Sequence, residues 1–233
     1  MSEILSERFK HFGEGLFETF KVENGKLPPY FEYHYERLKR GAEFFKIPYP
    51  SFETFKTFVE NNTSFTKKEG GIFAVKVLLL SLGDAYFGGK PADYKLEIFI
   101  KEYRPPKAEI ALTFSPYRRH SLNPLWRFKT TGGYLFNVAV KREALSRGFY
   151  DALILNEKGH VTETSSANFY CLKDGTLITP PVEDGLLEGV TRRVLLEKGK
   201  ATEGVIKPED LKECEGFYVS NSLMGLVRVN LHG

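Results

Sequence analysis

Residues 151–179 contain four short runs that are rich in apolar residues, and two polar turns each join one pair of these runs. The first turn is Asn156-Glu-Lys-Gly159, and the second is Lys173-Asp-Gly175. Short apolar runs joined by such turns predict an antiparallel meander of strands. We therefore expect antiparallel sheet in this part of the chain.

Helices and further strands are predicted on both sides of this stretch. Tyr35, Leu38, Ala42 and Phe45 recur every three to four residues, as one face of a helix does, and Pro48 follows them. Further helices are predicted at residues 52–59, at residues 134–147 and after Thr191, and further strands at residues 16–22, 72–80, 96–103, 109–115, 217–219 and 226–229. Because strands and helices occur in clusters and do not alternate regularly, the predicted fold class is α+β.

The regular pattern lapses between about residues 116 and 128, and we place a domain junction there. The prediction is an N-terminal domain at residues 1–116, a linker at residues 117–128 and a C-terminal domain at residues 129–233. A chain of 233 residues fits one large domain or two small ones, and 42% apolar residues are enough to form a core.

Charge and composition exclude several kinds of partner. The net charge of +3 comes from 33 basic and 30 acidic residues, which is too weak a field to indicate nucleic acid. The longest apolar run, around Val77-Leu-Leu-Leu80, is far shorter than a membrane span, and five scattered histidines predict no metal site. Cys171 and Cys214 suit a reducing cytosol better than a disulfide scaffold. Since the first residues lack a signal-peptide pattern, we expect a cytoplasmic protein.

Three groups have the chemistry of a cofactor site. Glu163 lies in a strand-like run, where a buried carboxylate could hold a proton on a ring nitrogen. Gly189-Val190-Thr191 opens a helix-like segment, and the first turn of a helix favours a phosphate. Lys129 lies between an aromatic residue and a small-residue turn, a setting that could desolvate its amine. A pyridoxal phosphate (PLP) enzyme needs these three parts.

Six motifs resemble the class IV PLP-dependent enzymes of fold type IV, which include branched-chain aminotransferase, D-amino-acid aminotransferase and 4-amino-4-deoxychorismate lyase. The motifs occur in the family's order, with the family's 34-residue gap between Lys129 and Glu163. They are Gly13-Glu-Gly-Leu-Phe-Glu-Thr19, His34-Tyr-Glu-Arg-Leu38, Lys129-Thr-Thr-Gly-Gly-Tyr-Leu135, Val161-Thr-Glu-Thr-Ser-Ser-Ala-Asn168, Gly189-Val-Thr191 and Ser220-Asn-Ser-Leu-Met224. The resemblance implies a small N-terminal α/β domain, a larger β-rich C-terminal domain, and a homodimer with the active site in the cleft between domains.

The resemblance also implies the roles of the residues that contact the cofactor ring. Lys129 forms the Schiff base with PLP and acts as the general base. Tyr134 contacts the phenolic oxygen of the cofactor, and Glu163 keeps the ring nitrogen protonated. Leu187 packs against the ring.

The phosphate and the substrate have their own expected contacts. Thr191 and the N–H groups of Val190 and Thr191 hold the phosphate, together with Arg37 and Ser222; the alternative for Arg37 is a solvated helix face. Arg118 and Arg119 are candidates for a clamp on a substrate carboxylate, or else belong to a solvated linker. Thr19 is a third candidate for a contact with the substrate. Lys21 stands where the family often has arginine. The family also has an extra strand before the segment that matches residues 6–13.

Two reactions are compatible with these motifs. The segment Asn221-Ser-Leu-Met-Gly225 resembles the lyases more than the branched-chain aminotransferases, and Arg118-Arg-His-Ser-Leu-Asn-Pro-Leu125 resembles the approach to the lysine in many lyases. We therefore favour 4-amino-4-deoxychorismate lyase, which releases pyruvate and 4-aminobenzoate for folate synthesis. The alternatives are an aminotransferase for branched-chain or D-amino acids and a non-catalytic PLP-binding protein, because the shared motifs bind the cofactor and do not select the reaction.

Overall fold

The computed structural model describes residues 6–69, 71–106 and 109–232, and it divides into two compact units. The first unit comprises Met1–Arg104 and Phe128–Tyr134, and the second comprises Pro105–Arg127 and Leu135–Gly233. None of the helices in the described ranges is both long and apolar enough to cross a membrane.

The first unit is built on a three-stranded antiparallel sheet with the strand order β1-β2-β3. The strands are β1 (Gly15–Glu23), β2 (Ile72–Gly83) and β3 (Pro91–Glu102), and the helices are α1 (Arg8–Phe12), α2 (Phe31–Phe45), α3 (Phe52–Thr63) and α4 (Thr66–Glu69). The predicted helix at residues 52–59 lies within α3, and the Ser51 side chain caps the start of α3 by accepting a hydrogen bond from the Thr54 N–H at 3.2 Å.

The two faces of this sheet have different surroundings, because successive side chains of a strand point to opposite faces. One face packs against α2 and α3 in an apolar core that includes Leu16, Phe20, Val22, Leu38, Phe55, Val59, Val75, Val77 and Leu79. The opposite face carries Phe17, Thr19 and Lys76, and Thr19 lies directly across from Lys76 in the register of β1 and β2. We call this opposite side the lysine face of the sheet.

The second unit contains an eight-stranded sheet with the order β10-β11-β4-β5-β6-β7-β8-β9. Its strands are β4 (Ala111–Arg119), β5 (Asp151–Asn156), β6 (Val161–Thr164), β7 (Asn168–Lys173), β8 (Thr176–Thr179), β9 (Ala201–Glu203), β10 (Gly216–Asn221) and β11 (Gly225–Leu231). Because β10 also pairs with β7, six of these strands form a closed ring around a core of Leu112, Leu153, Val161, Phe169, Val219 and Val229. The helices are α5 (Tyr134–Ser146) and α6 (Val190–Glu197), with short 3-10 segments at Pro124–Arg127, Val182–Asp184 and Pro208–Glu213.

The predicted α+β class and the predicted meander are confirmed. Strands β5, β6, β7 and β8 pair antiparallel in sequence order, and the two polar turns join β5 to β6 and β7 to β8. The predicted helix at residues 134–147 agrees with α5, and Gly148 follows it with a φ of 82°, a conformation that glycine tolerates best.

The predicted domain boundaries are wrong in two places. Strand β4 extends to Arg119 and pairs in parallel with β5 and β11, so residues 105–116 belong to the second unit. The pattern lapses in the sequence because the register of β4 shifts between Phe114 and Arg118, around Pro116, which cannot donate a ladder hydrogen bond. Phe128–Tyr134, in contrast, belongs to the first unit.

The two cysteines form a disulfide, contrary to the predicted pair of thiols. Cys171 lies in β7, Cys214 lies just before β10, and their Cα atoms are 5.6 Å apart. The antiparallel pairing of β10 with β7 brings the two residues together across a sequence separation of 43 residues. A pairing between strands that are distant in sequence leaves no mark in the cysteine spacing, so the sequence could not reveal it.

Candidate active site

Lys129 lies in the first unit beside two aromatic rings. Its Nζ atom is 4.5 Å from the ring centroid of Phe17 and 5.2 Å from that of Tyr134. The two rings pack edge to face, with centroids 4.8 Å apart. The sequence-predicted pair of Lys129 and Tyr134 is thus close together, and Phe17 of β1 supplies an apolar surface that partly removes the amine from water.

The backbone of the lysine segment is bonded to the start of β1. The Phe17 N–H donates to the carbonyl of Lys129 at 2.9 Å, and the hydroxyl of Thr131 donates to the carbonyl of Gly13 at 2.6 Å. Gly13 has a φ of 62°, and a Cβ atom there would lie 2.8 Å from the Cα of Gly132. Glycine at position 13 therefore permits the close approach that fixes Lys129 relative to Phe17.

A second lysine, which the sequence reasoning missed, lies against the same rings. The Nζ atom of Lys76 in β2 is 4.3 Å from the centroid of Phe17 and 5.9 Å from that of Tyr134. Burial lowers the pKa of the half-buried Lys76 ammonium group. The available signal was a single charged residue within the apolar run at residues 72–80, since a charge in a central strand is costly unless it has a role.

Arg37 lies on the other side of β1, in an ion pair with Glu18. Its Nε and Nη2 atoms donate to the two carboxylate oxygens of Glu18 at 2.8 and 2.6 Å, and His34 Nδ1 lies 2.7 Å from the same carboxylate. Burial alone would raise the pKa of Glu18, but the charge of Arg37 and the hydrogen bonds from both partners lower it to about 2. Burial also lowers the pKa of His34.

The position of Arg37 excludes one of its two predicted settings. The side chain is only 6% exposed, so it does not lie on a solvated helix face. Two of its nitrogens are held in place by Glu18, which orients the guanidinium group. Its contact with a phosphate stays a prediction.

Glu163 in β6 is 5% exposed and has three donors in the second unit. Arg119 Nη1 and the Leu187 N–H donate to Oε1, the latter at 3.3 Å, and Asn168 Nδ2 donates to Oε2 at 3.1 Å. The strand β6 and the loop before α6 therefore fix the orientation of this carboxylate. Glu163 and Leu187, both predicted site residues, are brought together here.

Arg119 is buried and forms an ion pair with this carboxylate. It is 3% exposed, its Nη2 atom donates to Asn137 Oδ1 at 2.7 Å, and its guanidinium carbon is 4.8 Å from the ring centroid of Trp126. In contrast to the predicted carboxylate clamp, Arg119 is placed to hold Glu163. The clamp stays a prediction for Arg118, which is exposed and donates to the carbonyl of Asn156 at 3.2 Å.

The N-terminus of α6 is close to Glu163 through one asparagine. Asn168 Nδ2 donates both to Glu163 and, at 2.8 Å, to the carbonyl of Leu187. A Cβ atom at position 189 would lie 2.1 Å from Asn168 Oδ1, so only glycine fits between this side chain and the helix start. Asn168 thus joins the carboxylate to the first turn of α6.

The first turn of α6 has the donors that a phosphate requires. The helix begins at Val190 after Gly189, which has no side chain to cap it, and Thr191 adds a hydroxyl in the same turn. The first N–H groups of a helix have no partner within the helix, and the helix dipole favours an anion there. The buried carboxylate and this helix start lie in the second unit, and the amine against aromatic rings lies in the first. Each of the three groups has chemistry that suits one part of PLP.

Ser222, the last predicted phosphate contact, lies in the turn between β10 and β11. Asn221 organises this turn, because its Oδ1 atom accepts hydrogen bonds from the N–H groups of Leu223 and Met224 at 3.0 and 2.9 Å. Its Nδ2 atom donates to the carbonyl of Ser166 at 3.2 Å, which connects the turn to the segment after β6. The role of Ser222 stays a prediction.

The chain matches a family of known enzymes over almost its whole length. The pattern of the family "Amino-transferase class IV" matches residues 15–231. A "Probable branched-chain-amino-acid aminotransferase" of Aquifex aeolicus is 30% identical over 207 residues, which cover 83% of this chain. The branched-chain-amino-acid aminotransferase of Escherichia coli is 24% identical over 226 residues, or 91% of this chain. This chain spans 65% of the length of the Aquifex protein and 72% of that of the Escherichia protein.

Solved structures show the same fold. A "Putative 4-amino-4-deoxychorismate lyase" from Legionella pneumophila superposes with a TM-score of 0.89 at 29% identity. The matched region covers 97% of this chain and 86% of the Legionella chain. The branched-chain amino acid aminotransferase from Escherichia coli has a TM-score of 0.80 at 21% identity, and covers 99% of this chain and 80% of its own. The PLP-bound form of a hypothetical aminotransferase from Mycobacterium tuberculosis has a TM-score of 0.83 at 23% identity, and covers 97% of this chain and 84% of its own.

Proposed function

The chain belongs to the amino-transferase class IV family of PLP-dependent enzymes, and we propose that it eliminates pyruvate from 4-amino-4-deoxychorismate to release 4-aminobenzoate. The observation that carries this proposal is the likeness to the Legionella protein, with a TM-score of 0.89 at 29% identity over 97% of this chain. The lyase-like segment Asn221-Ser-Leu-Met-Gly225 supports the same choice.

The charge of the lysine face is suited to this substrate. 4-Amino-4-deoxychorismate carries two carboxylates, which need cations in addition to those that hold the cofactor phosphate. Lys21 and Lys76 lie on the same face as Thr19, in adjacent positions of β1 and β2. This face therefore offers positive charge and a hydroxyl group to a dianionic substrate.

Each cofactor residue has a separate task. PLP supplies an aldehyde carbon that takes up an amino group and a ring that accepts electrons. Lys129 is the covalent attachment residue, and its Nζ atom removes the proton from the substrate carbon that carries the amino group. Tyr134 contacts the phenolic oxygen, and Leu187 packs against the ring.

The remaining residues hold charges in place. Glu163 holds the proton on the ring nitrogen, and Arg119 orients Glu163 from below. The N–H groups of Val190 and Thr191, the Thr191 hydroxyl and Ser222 bind the phosphate, as does Arg37.

One pair of incubations tests the reaction. The purified protein, loaded with PLP, is incubated either with 4-amino-4-deoxychorismate or with leucine, isoleucine or valine and 2-oxoglutarate. We expect pyruvate and 4-aminobenzoate in equal amounts from the first mixture and no glutamate from the second. Glutamate formation without 4-aminobenzoate would refute the lyase proposal.

The second candidate function is a branched-chain aminotransferase. It is favoured by the curated relatives, since the Aquifex and Escherichia proteins have this activity in their names at 30% and 24% identity. An aminotransferase would use the same cofactor residues, so the assay of both mixtures separates the two functions. By family resemblance we also propose a homodimer, for which light scattering should give twice the chain mass of 26.6 kDa.

A further inference from the structure

The pair formed by Lys76 and Lys129 suggests a role that the cofactor contacts do not explain. Both Nζ atoms lie within 4.5 Å of the ring centroid of Phe17, and both also lie beside the ring of Tyr134. Two ammonium groups close to the same aromatic ring repel each other, and the repulsion is stronger where protein replaces water. The cheapest way to relieve it is for one of the two amines to lose its proton.

The strand neighbours of Lys76 do not neutralise its charge. In the register of the sheet, Lys76 lies between Thr19 of β1 and Phe99 of β3, which are both uncharged. The nearby carboxylate of Glu97 is bonded to Lys95 at 2.7 Å. Neither strand residue directly beside Lys76 therefore offers it a negative charge, and the Glu97 carboxylate is paired with another lysine.

Groups from other elements of the first unit also lie near Lys129. Tyr134, at the start of α5, presents its ring to the amine. From α2, His34 is near enough to interact with Lys129 electrostatically, although burial is the main cause of the lowered pKa of His34. Glu18, behind β1, is matched by Arg37 at 2.6 Å.

We propose that Lys76 is an electrostatic positioning residue, whose ammonium group repels a proton on Lys129 Nζ and so keeps that amine neutral and nucleophilic. A neighbouring cation is one of the known means by which proteins activate a lysine. The inference relies on the proposed function only in naming Lys129 as the reactive amine. It requires neither the lyase nor the aminotransferase reaction.

The test measures the protonation of Lys129 directly. In the full chain without cofactor, the rate at which Lys129 is acetylated by trace acetic anhydride is followed against pH by mass spectrometry. We expect Lys76→Met, which keeps an apolar side chain of similar length, to raise the midpoint of this curve by about one to two pH units, the size of a charge–charge interaction across several ångströms of protein. Lys76→Gln is the second neutral variant, in case the methionine variant does not fold.

Two further variants separate charge from packing. Lys76→Arg retains the charge and should keep the wild-type midpoint. Lys101→Met removes an exposed lysine that lies across from Ala74 on the same sheet, and should also leave the midpoint unchanged. In the PLP-loaded protein, the absorbance titration of the cofactor bound at Lys129 should move in the same direction in Lys76→Met.

The outcomes distinguish this inference from the proposed function. A midpoint that moves by less than about 0.3 pH units in both neutral variants, or that moves equally in Lys76→Arg, refutes the role of the Lys76 charge. A shifted midpoint in a protein that converts neither substrate mixture supports the inference and rejects the proposed reaction.

Discussion

Replacing Arg119 by methionine removes the cation from a carboxylate that has no access to bulk water. Arg119 and Glu163 are 3% and 5% exposed, so water cannot replace the lost guanidinium group. Breaking a buried ion pair by removing one partner costs about 3–5 kcal/mol. Asn168 and the Leu187 N–H still donate to Glu163, so we expect the lower end, a loss of about 3 kcal/mol in the free energy of unfolding of the second unit.

The adjacent residue provides a matched control. Arg118→Met removes the same charge one position earlier in β4, but that side chain is exposed and its contact is a single hydrogen bond to the Asn156 carbonyl. Exposed substitutions of this kind change stability by about 0.5 kcal/mol or less. The two variants have the same net charge, so a difference between them reports burial and pairing.

Trp126 makes the measurement specific to the second unit. It is the single tryptophan of the chain, and it lies in the 3-10 segment Pro124–Arg127 of that unit. Urea unfolding of the cofactor-free chain is followed by the fluorescence of Trp126. The variants are compared by the midpoints and slopes of the unfolding curves, because replacing Arg119, which contacts the Trp126 ring, also changes the fluorescence intensity. Equal stability of the Arg119 and Arg118 variants would contradict the structural reasoning.

Three further perturbations test other parts of the molecule. Lys129→Ala should abolish covalent cofactor attachment and lower turnover by several orders of magnitude. Borohydride reduction of the wild type, followed by peptide mass spectrometry, identifies the attached lysine. A labelled peptide that contains another lysine would assign the attachment to that residue. Replacing Cys171 and Cys214 by serine should destabilise the protein by about 2–4 kcal/mol, and thermal denaturation of the wild type under reducing conditions should reproduce the same drop, since both changes remove the same crosslink. The pKa of Glu18 lies below its ordinary value of 4.5, at about 2, so the stability from this carboxylate is present above pH 4.5 and is lost as the pH falls towards about 2. Thermal melts by circular dichroism should show this slope, and a Glu18→Gln variant that kept the full slope would assign it to other groups.

Local patterns predicted the elements near Glu163 and Lys129 well. The polar turns around residues 156–159 and 173–175 mark strand ends in the structure, because turn residues are selected by backbone conformation, which is local. The glycine of the motif at Gly189 was also informative, because a side chain at position 189 would collide with Asn168. Such requirements act within one or two elements and leave a trace in sequence.

Contacts between distant strands were not predictable in the same way. Arg119 pairs with Glu163 because β4, β5 and β6 are neighbours in the sheet. Nothing in an Arg-Arg pair before an irregular segment reveals a buried partner 44 residues later. Lys76 is the single charged residue of the apolar run at residues 72–80, and only the strand register places it opposite Thr19. Partners across a sheet depend on strand order and register, which a single sequence does not contain.

The placement of Phe128–Tyr134 in the first unit has a consequence for synthesis on the ribosome. The N-terminal 104 residues emerge first, but β1 lacks its bonds to Lys129 and Thr131 until residue 134 has also emerged. Domains generally fold as units in the order of their synthesis, whereas here the earlier unit can be completed only after residues 105–127, which belong to the later one, have been made. A nascent chain halted before residue 128 would therefore hold an N-terminal sheet without the segment that carries Lys129.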